Sequence, residues 1–230
     1  MYLNQFELTG IPEFFSKGME GLGEFYYLDG TLSYFPYQTD KNGHVLSDDL
    51  QLPKDEAGNL LEITAKGFYH SEECPESITC YDCGTEFDKV ISFSFITITS
   101  FHLAEPEIYL GNEKALSNSY GMVAGDVQSV REIEGRERSF YIARIAIRDT
   151  TATVGYSYIN VSSLHPFTVD KGDRLFAKGK LLTTQRGLNA LCPNCSCMNT
   201  LVNDSTVLQA SAVQSMNSPK AYFGDIPLNK

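Results

Sequence analysis

Tryptophan is absent from this chain of 230 residues, and no apolar run approaches the length that crosses a membrane. The N-terminus lacks the basic residues and the apolar core of a secretory signal. Walker, Rossmann and His-Glu-x-x-His patterns are missing, and no nucleophile lies at a telling spacing from a base. No internal repeat is visible. We therefore expect a cytoplasmic protein that does not bind membranes and is not an enzyme.

Cations are scarce, with 18 lysines and arginines against 29 acidic residues and a net charge of −11. All seven arginines nevertheless lie between Arg131 and Arg186. Residues 120–190 carry ten basic and seven acidic side chains, a net +3, whereas residues 1–119 carry six against twenty, a net −14. A basic segment inside an acidic protein indicates that one surface binds a polyanion.

The composition favours β-structure, because 13 tyrosines and 14 phenylalanines accompany many short runs of Thr, Val and Ile. Four strands are predicted in the basic segment, at about 122–130, 140–148, 153–161 and 171–182. In the second and fourth of these, period-two alternation separates an aliphatic face from a cationic and aromatic face. The first face comprises Tyr141, Ala143, Ile145, Ile147, Leu175, Ala177, Gly179 and Leu181. The second comprises Phe140, Arg144, Arg148, Arg174, Phe176, Lys178 and Lys180.

The segment Lys171–Leu181 reads Lys-Gly-Asp-Arg-Leu-Phe-Ala-Lys-Gly-Lys-Leu. It matches a motif of the form Lys-Gly-Asp-x-Val-x-Val-x-Gly-x-Leu, with Leu175 and Ala177 in the aliphatic positions. With the order of the strands, this motif resembles the OB-fold of the bacterial and phage single-stranded DNA-binding (SSB) protein family over about residues 121–185. The chain differs from that family in lacking tryptophan, in having no room for a helix before Lys171, and in the long segment that precedes the OB-fold.

The resemblance implies a groove that binds single-stranded DNA, with cations along the phosphates and aromatic rings stacked on the bases. RNA is an alternative ligand, because stacking and phosphate contacts do not select the sugar. The predicted binding residues are Arg136, Arg138, Phe140, Arg144, Arg148, Tyr156, Tyr158, Arg174, Phe176, Lys178 and Lys180. For Tyr156 and Tyr158 the alternative is a place in the barrel core, because alternation alone does not decide which of their faces is inside.

Two Cys-x-x-Cys pairs bracket the arginine-rich segment, Cys80/Cys83 and Cys192/Cys195. In a reducing compartment such pairs are more often metal ligands than disulfides, and four thiolates form a tetrahedral, structural Zn²⁺ site. Because 108 residues separate the pairs, this site requires the OB-fold to be inserted into a zinc ribbon. One alternative is a local site made of His70, Cys74, Cys80 and Cys83. Another is free or redox-active thiols.

The fold expected from these patterns is all-β: an SSB-type OB-fold barrel with a zinc ribbon and an additional N-terminal β-rich region. The expected division is an acidic β-rich region at 1–70, a first knuckle and connector at 71–119, the OB-fold at 120–190, a second knuckle at 191–199 and a partly flexible C-terminal segment at 200–230.

The expected function is non-catalytic binding of single-stranded DNA in replication, recombination or the maintenance of phages and other mobile elements. Replication or recombination proteins are the expected partners, and self-association into a homo-oligomer is a further expectation. The alternative is an interaction subunit that docks proteins within a larger nucleic-acid-processing complex. The acidic net charge and the large part of the chain outside the OB-fold favour this alternative.

Overall fold

The computed structural model describes residues 3–14, 22–39, 45–47, 50–104, 119–135, 138–152, 154–216 and 221–223. Every regular element within these ranges is a β-strand, which confirms the all-β prediction. No helix among the described residues is long and apolar enough to span a membrane.

The described strands are β1 (Leu3–Phe14), β2 (Gly23–Tyr27), β3 (Gly30–Tyr34), β4 (Gln38–Thr39), β5 (Val45–Ser47), β6 (Ile63–Thr79), β7 (Glu86–Leu103), β8 (Ser119–Ile133), β9 (Phe140–Arg148), β10 (Tyr156–Ser163), β11 (Arg174–Leu191), β12 (Met198–Ser215) and β13 (Ala221–Phe223). The short strands β4 and β5 form a separate two-stranded sheet.

Strands β8 to β12 close a five-stranded barrel in the order β8-β9-β10-β12-β11 and back to β8. All neighbours are antiparallel except β10 and β12, which run parallel. This is the strand order of an OB-fold, so the predicted OB-fold barrel is confirmed. Most of the predicted aliphatic face fills the core, because the following side chains are buried: Ala143, Ile145, Ile147, Leu175, Ala177 and Leu181.

The N-terminal region is β-rich as predicted, and its strands close a second barrel. Strands β1, β2, β3, β7 and β6 follow one another around it, and β6 returns to β1. Here β3 and β7 are the parallel pair, as β10 and β12 are in the other barrel. The chain therefore contains two barrels of one topology, an N-terminal barrel from β1 to β7 and a C-terminal barrel from β8 to β12.

The strand pairing divides the chain differently from the expected boundaries. The boundary at residue 70 falls inside β6, and the boundary at residue 199 falls inside β12. Each cysteine pair lies at the tip of a long hairpin, β6–β7 or β11–β12, whose base belongs to a barrel. Beyond the barrel wall the ladder of hydrogen bonds continues to the tip of each hairpin, because β6 pairs with β7, and β11 with β12, along their whole length.

An internal repeat accompanies the two barrels. Ala65-Lys66-Gly67 in β6 corresponds to Ala177-Lys178-Gly179 in β11, and a Cys-x-x-Cys pair begins thirteen residues after the glycine in both. Both hairpins also shift register at the same point, between the lysine and the glycine. The expectation of no repeat is therefore corrected. So few identical residues are hard to find before the strands are aligned.

The repeated glycine allows a close approach of two strands. A Cβ atom on Gly179 would lie 2.0 Å from the backbone oxygen of Gln209, and one on Gly67 would lie 1.8 Å from that of Thr97. Gly179→Ala is expected to lower the free energy of unfolding by about 1–3 kcal/mol, because the strands must move apart. Chemical denaturation measures this, with Gly187→Ala in the same strand as the control, since its Cβ would meet only the Thr200 methyl group at 3.1 Å. Equal midpoints for the two variants would show that the close approach of the strands at Gly179 does not require glycine.

The barrels are joined in two ways. Strands β1 and β8 pair antiparallel, so one sheet continues from barrel to barrel. In addition, each long hairpin contacts the opposite barrel. The backbone amide of Ser71 donates to the Ser157 hydroxyl at 2.9 Å, and that of the repeat-equivalent Thr183 donates to the Asp29 carbonyl at 3.1 Å. The two halves are therefore arranged about an approximate twofold axis.

Candidate nucleic-acid interface and metal site

The outer surface of β9 and β10 carries two of the predicted cations beside both predicted tyrosines. Ser157, Ile159 and Val161 are buried, so the alternate residues Tyr156 and Tyr158 point away from the core. The structure therefore excludes the alternative in which these two tyrosines belong to the barrel core. Tyr156 is 38% exposed and lies opposite Arg148 in the strand register.

The Arg144 guanidinium lies over the Tyr158 ring, with its central carbon 4.6 Å from the ring centroid. A cation in this position is attracted by the negative face of the ring, and the pair presents both a charge and an aromatic surface. We call Arg144, Arg148, Tyr156 and Tyr158 the β9–β10 face. These side chains have the two chemistries that an unpaired strand requires, one for phosphates and one for bases.

The predicted residues of β11 form a second group, on the opposite edge of β8 from β9. Arg174 pairs with Asp126 at 3.1 Å, and Lys180 pairs with Asp29 of the N-terminal barrel at 2.7 Å. Phe176 and Lys178 lie between them and are partly buried. Two of the three predicted cations of this strand are thus partly neutralised within the protein.

The remaining predicted residues lie at the start of β9. Arg138 is exposed just before the strand, and Phe140, its first residue, is partly buried. Arg136 lies outside the described residues. The ten predicted positions that the structure describes therefore form a compact group on β9 and β10, a second group on β11, and a short extension at the beginning of β9.

Sequence reasoning missed an acidic partner of the β9–β10 face. The carboxylate of Glu73, on β6 of the N-terminal barrel, forms an ion pair with the Arg144 guanidinium. A salt bridge between partly exposed groups contributes little stability, but it partly neutralises Arg144, as the ion pairs on β11 do for Arg174 and Lys180. No local signal marks Glu73, because it is brought to Arg144 only by the hairpin that crosses between the barrels.

The four predicted thiol ligands meet at one place. The Sγ atoms of Cys80 and Cys195 are 3.6 Å apart, those of Cys83 and Cys192 are 3.7 Å apart, and all four lie within 4.8 Å of one another. Sulfurs bound at 2.3 Å around a tetrahedral zinc ion would be about 3.8 Å apart, so the spacing fits such an ion. The cluster can hold a metal ion and is compatible with the predicted zinc ribbon.

The two cysteine knuckles have the same backbone geometry. The amide of Cys80 donates to the Thr85 carbonyl, and that of Cys192 donates to the Cys197 carbonyl, both at 2.9 Å. Gly84 has φ +71°, and its repeat-equivalent Ser196 has φ 58°. Hydrogen bonds with Thr85 also lower the pKa of Cys83 to about 6, which favours the thiolate form that metals bind.

The alternative ligand set does not assemble, because His70 is committed elsewhere. This histidine is buried between the barrels, where its Nδ1 lies 2.6 Å from Asp149 Oδ2 and its Nε2 lies 2.9 Å from Thr97 Oγ1. Asp149 also accepts hydrogen bonds from the hydroxyls of Ser157 and Thr151. The structure thus assigns His70 to a buried polar network rather than to the cysteine cluster.

No protein-family model and no curated protein match the sequence. A solved structure, a deletion mutant of the single-stranded DNA binding protein from Thermus aquaticus, is similar with a TM-score of 0.50 and 12% sequence identity. The match covers 100% of this chain and 98% of that protein's chain. The likeness therefore extends over both barrels, and it establishes the SSB-like fold.

Proposed function

We propose that this protein binds single-stranded DNA without catalysis, through the β9–β10 face of its C-terminal barrel. The observation that carries the proposal is the Arg144 guanidinium placed over the outward-facing Tyr158 ring. In this position an incoming base can stack on a ring while its phosphate meets a cation. The similarity to a protein named for single-stranded DNA binding also supports it. A role in replication, recombination or mobile-element maintenance, with partner proteins of those processes, belongs to the same proposal.

A titration with a fluorescent oligo-dT tests this function. Fluorescence anisotropy at two salt concentrations should show a Kd that rises with salt, because binding to phosphates releases counterions. An oligo-rU of equal length decides whether RNA is also a ligand. Absent or salt-insensitive binding by the full chain would contradict the proposal.

We further propose that the cysteine cluster holds one structural Zn²⁺ ion. The four thiolates Cys80, Cys83, Cys192 and Cys195 would leave no open position for a substrate, so the ion would only link the hairpins of the two barrels. Since each hairpin belongs to a different barrel, the ion would stabilise their relative arrangement.

Replacing Cys192 by serine is expected to abolish metal binding and to lower the thermal midpoint by more than about 4 °C. Each kcal/mol shifts the midpoint of a protein of this size by about 2–4 °C, and a structural metal contributes several. Metal analysis by plasma mass spectrometry and thermal unfolding with and without chelator provide the measurement. Cys74→Ser is the matched control, because Cys74 lies outside the cluster. Metal-free wild-type protein with an unchanged midpoint in chelator would refute the assignment.

The second candidate function, a protein-docking subunit, draws support from the N-terminal barrel. Residues 1–104 carry five basic and seventeen acidic side chains, a net −12. Such a surface attracts basic proteins rather than nucleic acid. This function predicts weak oligonucleotide binding by the isolated chain and a stable complex with a basic partner in co-purification.

A further inference from the structure

The two barrels can be compared position by position at the β9–β10 face. In the C-terminal barrel, buried Ile145 on β9 pairs with buried Ile159 on β10. In the N-terminal barrel, buried Phe25 on β2 pairs with buried Leu32 on β3. The strand registers make these pairs equivalent. The repeated glycines Gly67 and Gly179 lie opposite Phe6 on β1 and Gly121 on β8, and six residues further along these strands Pro12 and Val127 lie opposite Phe25 and Ile145.

The neighbours of these core pairs carry different chemistry. The residue before the first core position is Arg144 in the C-terminal barrel and Glu24 in the N-terminal barrel. The residue before the second is Tyr158 in one and Thr31 in the other. The cation and the ring that support the proposed function are thus replaced by a carboxylate and a small side chain.

The surroundings of Glu24 strengthen this difference. The Tyr26 hydroxyl donates a hydrogen bond to the Glu24 carboxylate, so the neighbouring aromatic side chain is bound to an acid. Residues 119–216 have ten basic and eight acidic side chains, a net +2, against the net −12 of residues 1–104. A phosphate backbone is attracted to the C-terminal barrel and repelled by the N-terminal barrel.

We propose that a single strand is held by the C-terminal barrel alone and that Glu24 excludes it from the equivalent face of the N-terminal barrel. This inference rests on the proposed function and specifies it: the chain offers one binding face for its two barrels. The footprint is then that of a single OB-fold, about 4–16 nucleotides. The N-terminal barrel keeps the OB-fold, and its Glu73 carboxylate forms an ion pair with Arg144.

Ultraviolet cross-linking of the wild-type chain to oligo-dT, followed by mass spectrometry, locates the strand directly. Cross-linked peptides are expected from residues 140–163, and none from residues 22–34. Cross-links to Tyr26 at a yield comparable to those of Tyr156 or Tyr158 would overturn the inference. Cross-links to Tyr26 as well as to the β9–β10 face would leave the proposed function intact. The absence of any binding or cross-link would contradict both the proposed function and this inference.

The double variant Glu24→Arg, Thr31→Tyr restores the missing chemistry on the N-terminal barrel. Its footprint on poly-dT, in nucleotides per chain, is expected to rise about twofold, since each OB-fold occupies its own segment of strand. Glu56→Arg makes the same change of charge at an exposed turn of the same barrel and should leave the footprint unaltered. An equal footprint for the double variant and for Glu56→Arg, with folding verified by circular dichroism, would contradict the proposal.

Discussion

Replacing Asp149 by alanine is expected to lower the free energy of unfolding by about 3–5 kcal/mol, because three hydrogen-bond donors lose a buried acceptor and each such loss costs about 1–3 kcal/mol. Asp149 Oδ2 accepts hydrogen bonds from His70 Nδ1 and from the Ser157 hydroxyl, each at 2.6 Å. The other carboxylate oxygen accepts one from the Thr151 hydroxyl at 2.7 Å. Without the carboxylate, these donors lose their acceptor inside a buried site, and each unsatisfied donor costs free energy.

Equilibrium denaturation in urea measures the change. Asp88→Ala is the matched control, because it removes the same side chain from an exposed position on β7. Since His70 belongs to one barrel and Asp149 to the other, the unfolding of both barrels should shift together. A loss below about 1 kcal/mol, or equal losses for the two variants, would show that the network does not hold the barrels together.

The same carboxylate makes stability depend on pH. Burial raises the pKa of Asp149, but the hydrogen bond and charge of His70 and the hydrogen bonds of Ser157 and Thr151 outweigh it and lower this pKa well below its ordinary value. Because the pKa is lower in the folded state, the stability that this group contributes is fully present above the unfolded value of about 3.9. It is lost as the pH falls below that value. Denaturation of Asp149→Asn at pH 3 and pH 6 should therefore show a smaller difference than that of the wild-type protein.

Tyr158→Ala is expected to weaken the binding of oligo-dT by roughly 5- to 150-fold, which corresponds to the 1–3 kcal/mol that one stacked base contributes. The loss should be larger than that of a single phosphate contact, because the ring supports both a base and the Arg144 guanidinium. Tyr156→Ala should weaken binding in the same direction. Fluorescence anisotropy at one fixed salt concentration gives the values.

Two controls separate this interface from general surface effects. Tyr120 is 38% exposed, as Tyr156 is, but it lies on β8 opposite Lys180, so Tyr120→Ala should bind like the wild-type protein. Arg144→Ala should reduce the salt slope by about 1, whereas Lys54→Ala, which removes a cation from the N-terminal barrel, should not. Equal losses for Tyr120→Ala and Tyr158→Ala would place the binding surface elsewhere.

The alternation of aliphatic with cationic or aromatic side chains along β9 and β11 was predictable from the sequence, because it depends only on neighbouring residues. An aliphatic face that repeats every second residue must lie inside a barrel wall, and Ile145 and Leu175 are buried as this pattern requires. The knuckle pairs were predictable for a similar reason, since Cys-x-x-Cys is the local geometry that metals select. The orientation of Tyr156 and Tyr158 was not predictable, because both faces of β10 carry large hydrophobic side chains: the two tyrosines on one, Ile159 and Val161 on the other.

Apart from the meeting of the two cysteine pairs, contacts between distant parts of the chain came only from the tertiary structure. Short strands such as β2 and β3, with five residues each, do not reveal by their composition that they close a barrel through a parallel partner far along the chain. The same holds for the Glu73–Arg144 ion pair and for the His70–Asp149 network, which join residues of different barrels. A sequence specifies which faces are buried along each strand, but the pairing of strands depends on which buried faces fit together in space.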